Sequence, residues 1–219
     1  MTAALGGPAL KVSEIFVSLQ GESSRVGLPT VFVRLTGCPL RCTWCDTAYA
    51  FQGGKSMALP ELLAVVASHG VRHVCVTGGE PLAQHSCLSL LRALGDAGHS
   101  VSLETSGALD IAGVDRRVSR IVDLKAPGSG ESARNRWQNL DLLTARDELK
   151  FVLRDRLDYE WARSQVVERG LADICPLLFS PVAAELPPAT LAGWIVEDRL
   201  PVRFQVQLHK ILWGDERGR

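Results

Sequence analysis

The residues best suited to chemistry form one short stretch, Gly37-Cys38-Pro39-Leu40-Arg41-Cys42-Thr43-Trp44-Cys45-Asp46-Thr47. Its cysteines stand at the spacing C-x3-C-x2-C, with no fourth close behind. Thiolates hold iron–sulfur clusters, and a cubane has four irons to ligate. Three thiolates from one loop cap three irons and leave the last open to a small molecule, which suits chemistry better than electron carriage alone. A zinc site that adds a distant ligand such as His69 or His85 is a rival for the same residues. Zinc loops usually pair two C-x2-4-C knuckles, and here only Cys42 to Cys45 forms one. A disulfide framework is a further rival. It is disfavoured because Met1 to Leu10 lacks a basic stretch followed by an apolar core, and because 219 residues need no staples.

Other polar motifs follow apolar runs. In Gly78-Gly79-Glu80-Pro81, two glycines allow a close backbone approach to a ligand and Glu80 can accept from an ammonium; an ordinary strand-to-helix turn is the plain alternative. Glu104-Thr105-Ser106-Gly107 offers acceptors and hydroxyls for a ribose or a substrate, against helix capping. Asp123-Leu124-Lys125 offers a pair for a carboxylate, against a surface salt bridge. Asp46-Thr47 suits either an N-cap or an oxygen ligand for a hard cation such as Mg²⁺. Arg34, inside an apolar strand, suits clamping a carboxylate. Leu19-Gln20-Gly21-Glu22 reads as a polar turn, and His209-Lys210 as a solvent-facing pair closing the last strand. His69, His73, His85 and His99 sit in helix or turn contexts with no chemistry, and Cys75, Cys87 and Cys175 read as small core hydrophobes.

The elements that must position these motifs follow from pattern. Strands are expected at Lys11–Leu19, Thr30–Leu35, Val74–Val76, Val101–Leu103, Ile121–Lys125, Leu149–Leu153, Cys175–Phe179 and Arg203–Leu208. Helices are expected from Met57 to a stop at Gly70, over His85–Ala97, over Tyr159–Glu168 and around Thr190–Glu197. Strands alternating with helices predict a parallel sheet with right-handed crossovers, and motifs placed just after strands predict a site on its C-terminal rim. About six such units fit, so the fold class is α/β, a partial, open (β/α)6-type barrel. One domain spans 1–219, with 1–10 a flexible lead and 211–219 a C-terminal tail. The composition, 46% hydrophobic and 22% charged with zero formal net charge, is ordinary for a globular chain. It gives no case for nucleic acid or for a basic membrane surface. No apolar run approaches the ~20 residues of a membrane span, and the cytoplasm is the expected compartment.

The cysteine loop, with an aromatic residue just before its last cysteine, resembles the signature of the radical S-adenosylmethionine (SAM) superfamily. Together with Glu14-Ile15-Phe16, Leu19-Gln20-Gly21-Glu22, Phe32-Val33-Arg34, Thr77-Gly78-Gly79-Glu80-Pro81, Glu104-Thr105-Ser106-Gly107 and His209-Lys210, it resembles the family of 7-carboxy-7-deazaguanine synthases of the queuosine precursor pathway. That resemblance implies a radical SAM lyase with a 4Fe–4S cluster, SAM and Mg²⁺. Its reaction turns 6-carboxy-5,6,7,8-tetrahydropterin into 7-carboxy-7-deazaguanine with loss of ammonia. It also implies a cytoplasmic homodimer fed by a reducing electron donor such as flavodoxin. By motif, Cys38, Cys42 and Cys45 would hold the cluster, and Thr47 would ligate Mg²⁺. Trp44, Cys45, Asp46 and Gly79 would line SAM, with Asp123, Leu124, Lys125, Ser180 and Pro181 further candidates on that side. Leu19, Gln20, Gly21, Arg34 and Thr77 would contact the pterin. The family ends in a proline shortly after the His-Lys pair; here Ile211 to Arg219 runs on without one, so that contact is not carried over. An activase that installs a glycyl radical on a partner protein is the alternative within the superfamily. Many activases carry extra cysteine-rich insertions, which this chain lacks.

Overall fold

The computed structural model describes residues 8–183, 185–214 and 216–219. A nine-stranded sheet runs in the order β3-β1-β2-β4-β5-β6-β7-β8-β9. The strands are β1 (Ala9–Leu19), β2 (Pro29–Leu35), β3 (Lys55–Ala58), β4 (His73–Gly78), β5 (Ser100–Thr105), β6 (Ser119–Asp123), β7 (Glu148–Leu153), β8 (Leu177–Pro181) and β9 (Arg203–Phe204). From β2 through β4 to β9 all pairing is parallel, whereas β1 pairs antiparallel with both β2 and β3. The ends of the sheet, β3 and β9, do not pair with each other, so the barrel stays open.

Four helices lie in the crossovers or just before them: α1 (Leu59–Ser68), α2 (Cys87–Asp96), α3 (Arg156–Glu168) and α4 (Pro188–Asp198). Helix α2 shows the logic. Cys87, Leu90, Leu91 and Leu94 recur at helical spacing, and all four are fully buried. They pack in one core with Val31, Val33 and Leu35 of β2, Leu103 of β5 and Val122 of β6. Pro60 occupies the first turn of α1, where a missing N–H costs nothing. The crossovers from β5 to β6 and from β6 to β7 contain no α-helix; the second uses short 3-10 turns at Pro127–Ser129, Ser132–Arg134 and Trp137–Leu142.

Several expectations need correction. The flexible lead is shorter than 1–10, because β1 begins at Ala9 and Leu10 is buried; residues 1–7 of that lead lie outside the described residues. Met57 belongs to β3, not to the following helix. The last strand stops at Phe204 rather than Leu208, because Gln205 and Gln207 turn their amides to the loop after β1. His209 and Lys210 therefore lie in a further helix, α5 (Leu208–Trp213), and not at a strand end. The segment after it folds back, with the Arg217 guanidinium 4.0 Å from the Tyr49 ring centroid.

The loop at residues 20–28 closes the base of the barrel. Because β1 is antiparallel to β2, Leu19 pairs with Pro29 at the N-terminal end of the parallel strands. From there Ser24 bonds Glu148 at the start of β7 through its N–H and its hydroxyl, and Arg25 donates to the Ser100 carbonyl at the start of β5 at 3.3 Å. Ser23, buried with φ 67°, is clasped by the Gln205 amide, which accepts from its N–H at 2.7 Å and donates to its carbonyl at 2.8 Å.

Candidate active site

The cysteine loop leaves the end of β2 and rests on the backbone that leaves β4. Glu80 N–H donates to the Gly37 carbonyl at 2.8 Å, and Gly79 N–H to that of Leu35 at 3.2 Å. A Cβ on Gly79 would lie 2.4 Å from the Gly37 oxygen, and one on Gly78 (φ +151°) 2.2 Å from the Leu35 oxygen. The paired glycines thus admit the cysteine loop itself, in addition to any ligand above them. The loop's far side is tied to the turn after β6: Thr43 N–H donates to Ser129 O at 3.1 Å and its hydroxyl to Gly128 O at 2.9 Å. Arg41 N–H donates to Glu131 at 2.6 Å.

One cavity of about 660 Å³ runs from this loop down into the barrel. Cys38, Cys42 and Cys45 all open on it, as do Trp44, Asp46, Thr47 and Gly79. Leu19, Gln20, Gly21, Arg34 and Thr77 line it further down, and Asp123 and Lys125 line its β6 side. Three expected residues are not on its wall. Leu124 is buried in the hydrophobic core, and Ser180 and Pro181 are buried at the end of β8, where Val182, Ala183 and Glu185 face the cavity instead. The change of role follows from strand alternation: Leu124 points to the opposite side from its two neighbours.

All six cysteines are free thiols. Burial pushes the Cys38 and Cys42 thiols above their ordinary range, while the Lys125 ammonium pulls on both the other way. Lys125 is half-buried; that would lower its pKa, but Asp123 at 3.0 Å and the Cys42 sulfur outweigh desolvation and hold it raised, a firm cation beside the thiols. Three soft donors on one wall fit an iron–sulfur cluster. The histidines that a zinc site would borrow, His69 and His85, are exposed and lie off the cavity wall. Among the described residues no three or more His, Cys, Asp or Glu side chains gather as a site for a single ion. Thr47 stands at the N-cap of a 3-10 turn, Ala48–Phe51, yet its hydroxyl makes no capping bond and lies 3.8 Å from Cys45 Sγ.

Glu80 behaves differently from the expected ammonium acceptor. It is fully buried, and its carboxylate accepts from Leu82 N–H at 3.0 Å, Thr105 Oγ1 at 2.9 Å, Ser106 N–H at 2.7 Å and Ser106 Oγ at 2.5 Å. It is a strut between the ends of β4 and β5, and it engages the hydroxyls that the sequence offered to a ribose. The acceptor facing the cavity on that edge is Glu104, which takes bonds from Thr77 Oγ1 at 2.9 Å and Gln20 Nε2 at 3.3 Å. Arg34 lines the cavity with its Nε held by Glu14 at 2.7 Å, and Tyr49 donates to the same Glu14 oxygen at 2.8 Å. The cavity wall holds residues that pattern reading missed or left in solvent: Glu22, Lys150, Gln207 and His209 on the floor, and Lys210 beside the cysteine loop. His209 packs on Gly21, where an added Cβ would meet its Nδ1 at 2.3 Å, and Lys210 reaches within 3.8 Å of Asp46. Lys150 had a legible signal: a lysine between Leu149 and the apolar run Phe151-Val152-Leu153 demands a buried counter-charge.

Comparison with known proteins bears on this arrangement. Residues 32–164 match the model of the radical SAM superfamily. A 7-carboxy-7-deazaguanine synthase from Chlorobaculum tepidum is 46% identical over 95% of this chain and 97% of its own length. Another of that name, from Koribacter versatilis, is 43% identical over 94% of this chain and 98% of its own. The crystal structure of QueE from Escherichia coli superposes with a TM-score of 0.73 at 25% identity, covering 92% of this chain and 95% of that one. With a three-thiol cavity at the head of an open parallel barrel and relatives matched over nearly their whole length, the chain belongs to the radical SAM superfamily and, within it, to the 7-carboxy-7-deazaguanine synthase family.

Proposed function

We propose that the chain converts 6-carboxy-5,6,7,8-tetrahydropterin to 7-carboxy-7-deazaguanine with loss of ammonia, in the making of queuosine and other 7-deazapurines. The observation that carries this reading is full-length similarity to curated synthases of that name, together with a single cavity shared by three thiols and a polar floor. When bound, a 4Fe–4S cluster and SAM supply the radical that abstracts hydrogen from the substrate. Cys38, Cys42 and Cys45 would hold the cluster. Trp44, Asp46 and Gly79, with the Asp123–Lys125 pair, would line SAM; the buried Leu124, Ser180 and Pro181 are not proposed as side-chain contacts.

At the substrate end, Glu14 takes the Arg34 Nε, which leaves the outer guanidinium nitrogens for a carboxylate. Leu19, Gln20, Gly21 and Thr77 would contact the ring system, with Glu104 accepting from its N–H groups. Thr47, whose hydroxyl makes no capping bond, is the proposed Mg²⁺ ligand. The reading includes one catalytic domain, a homodimer, a reducing partner such as flavodoxin and a cytoplasmic setting. Among the described residues no helix is long and apolar enough to cross a membrane.

Anaerobically reconstituted protein is expected to be brown, with a broad absorbance near ~400 nm from thiolate–iron bonds. Incubated with reductant, SAM, Mg²⁺ and the carboxypterin, it should release ammonia and a deazapurine. Cleavage of SAM without a deazapurine would overturn the substrate.

A further inference from the structure

Lys150 stands in β7, a strand in which every residue is buried. Its ammonium contacts Glu22 Oε2 directly and lies 4.0 Å from Asp123 Oδ2, which is itself 3.0 Å from Lys125 Nζ. The other Glu22 oxygen accepts from Gln207 Nε2 at 2.6 Å, and Glu22 N–H donates to Gln20 Oε1 at 3.3 Å. Titratable groups converge here from every side: Lys150 from β7, His209 from α5, Asp123 from β6 and Glu104 from β5. Both Glu22 and Lys150 line the cavity floor.

We propose that Lys150 is a positioning residue of this site: it holds Glu22 ionised and aimed into the floor, and ties it through Asp123 to Lys125 on the cofactor side. The inference rests on the reading above that the cavity takes a pterin. A buried carboxylate without a counter-charge neutralises, because burial disfavours its charged form. A protonated Glu22 would spend one oxygen as a donor and could no longer accept N–H bonds from a heterocycle at both. Burial alone would push Glu22 up, yet with Lys150 beside it and Gln207 bonded to it the group stays below the usual carboxylate range. One ammonium therefore sets the charge of the floor and the distance between its substrate and cofactor halves.

The test compares wild type with Lys150→Met, Glu22→Gln and the double variant, each with its cluster and SAM but without reductant, from about pH 5.5 to about pH 8.5. The first readout is melting temperature. Wild-type Glu22 is ionised throughout this window, so the pair adds no slope. In Lys150→Met the Glu22 pKa rises above its unfolded value, so that variant is expected to fall further below wild type as pH rises, reaching a deficit of about 10 °C. The double variant buries no lone charge and is expected to lose that slope. A deficit that is flat with pH, or a slope that persists in the double variant, overturns the proposal. Should Lys150→Met not fold at high pH while the double variant does, the proposal is supported; if neither folds, Lys150 is structural only and the proposal fails.

The second readout is the dissociation constant of the carboxypterin. In Lys150→Met it is expected to be about tenfold weaker at the acid end and to recover as pH rises. A pH-independent loss overturns the positioning role. Wild type that binds no pterin overturns the proposed function instead, and leaves the melting comparison standing.

Discussion

The rim and the floor of the cavity are built on opposite plans. The rim draws its three thiols from one loop, seated on the Gly78–Glu80 backbone and tied by Thr43 and Arg41 to the turn after β6. The floor is assembled at long range. Glu22 meets Lys150 across 128 residues, Ser23 meets Gln205 across 182, and Glu22 meets Gln207 across 185. The rim is held by close backbone approach and tolerates no added atoms; the floor is held by side-chain charge and amide bonds, which tolerate reshaping but not the loss of one partner.

The sharpest way to break this contrast is at the thiols. Cys42→Ala is expected to abolish cluster binding and activity, whereas Cys87→Ala, buried in the core of α2, should keep its iron while losing about 1–2 kcal/mol of stability. Equal iron loss in both would mean that the rim is not where the cluster sits. Next in size, Gly79→Ala should cost about 3 kcal/mol or more in urea unfolding and lower cluster retention, because its Cβ would meet the backbone oxygen of Gly37. A tolerated alanine would show that the rim gives. Glu80→Gln keeps the shape but removes the charge that four donors share, and about 2–3 kcal/mol should go with it. Smallest, Gln205→Ala should cost about 1–2 kcal/mol and weaken pterin binding more than SAM binding. If both ligands weaken equally, floor and rim are not separate.

What was legible follows the same division. The cysteine loop, the glycine pair and the strand-end placement of polar motifs were all readable, because each is contiguous and sits where an apolar run stops. Glu80 and Glu104 are both strand-end acids, and sequence cannot say which of the two faces inward; the structure gives Glu80 to the frame and Glu104 to the cavity. The run Arg203–Leu208 alternates like a strand, yet the amides of Gln205 and Gln207 gain more from Ser23 and Glu22 than from an exposed edge. Such partners lie too far along the chain for periodicity to reveal. Lys150 is an exception, since a cation in a fully buried strand announces a partner without naming it.

An unclosed sheet keeps two raw borders, and each could recruit a neighbour's backbone. The terminal strands themselves are short: β9 spans only Arg203–Phe204, and β3 only Lys55–Ala58, with a lysine at its start and Pro60 just beyond. Brevity, a charge and a residue lacking a backbone donor are standard deterrents to strand-by-strand growth. The open ends of the sheet therefore offer a second copy little backbone on β3 or β9 along which to add strands.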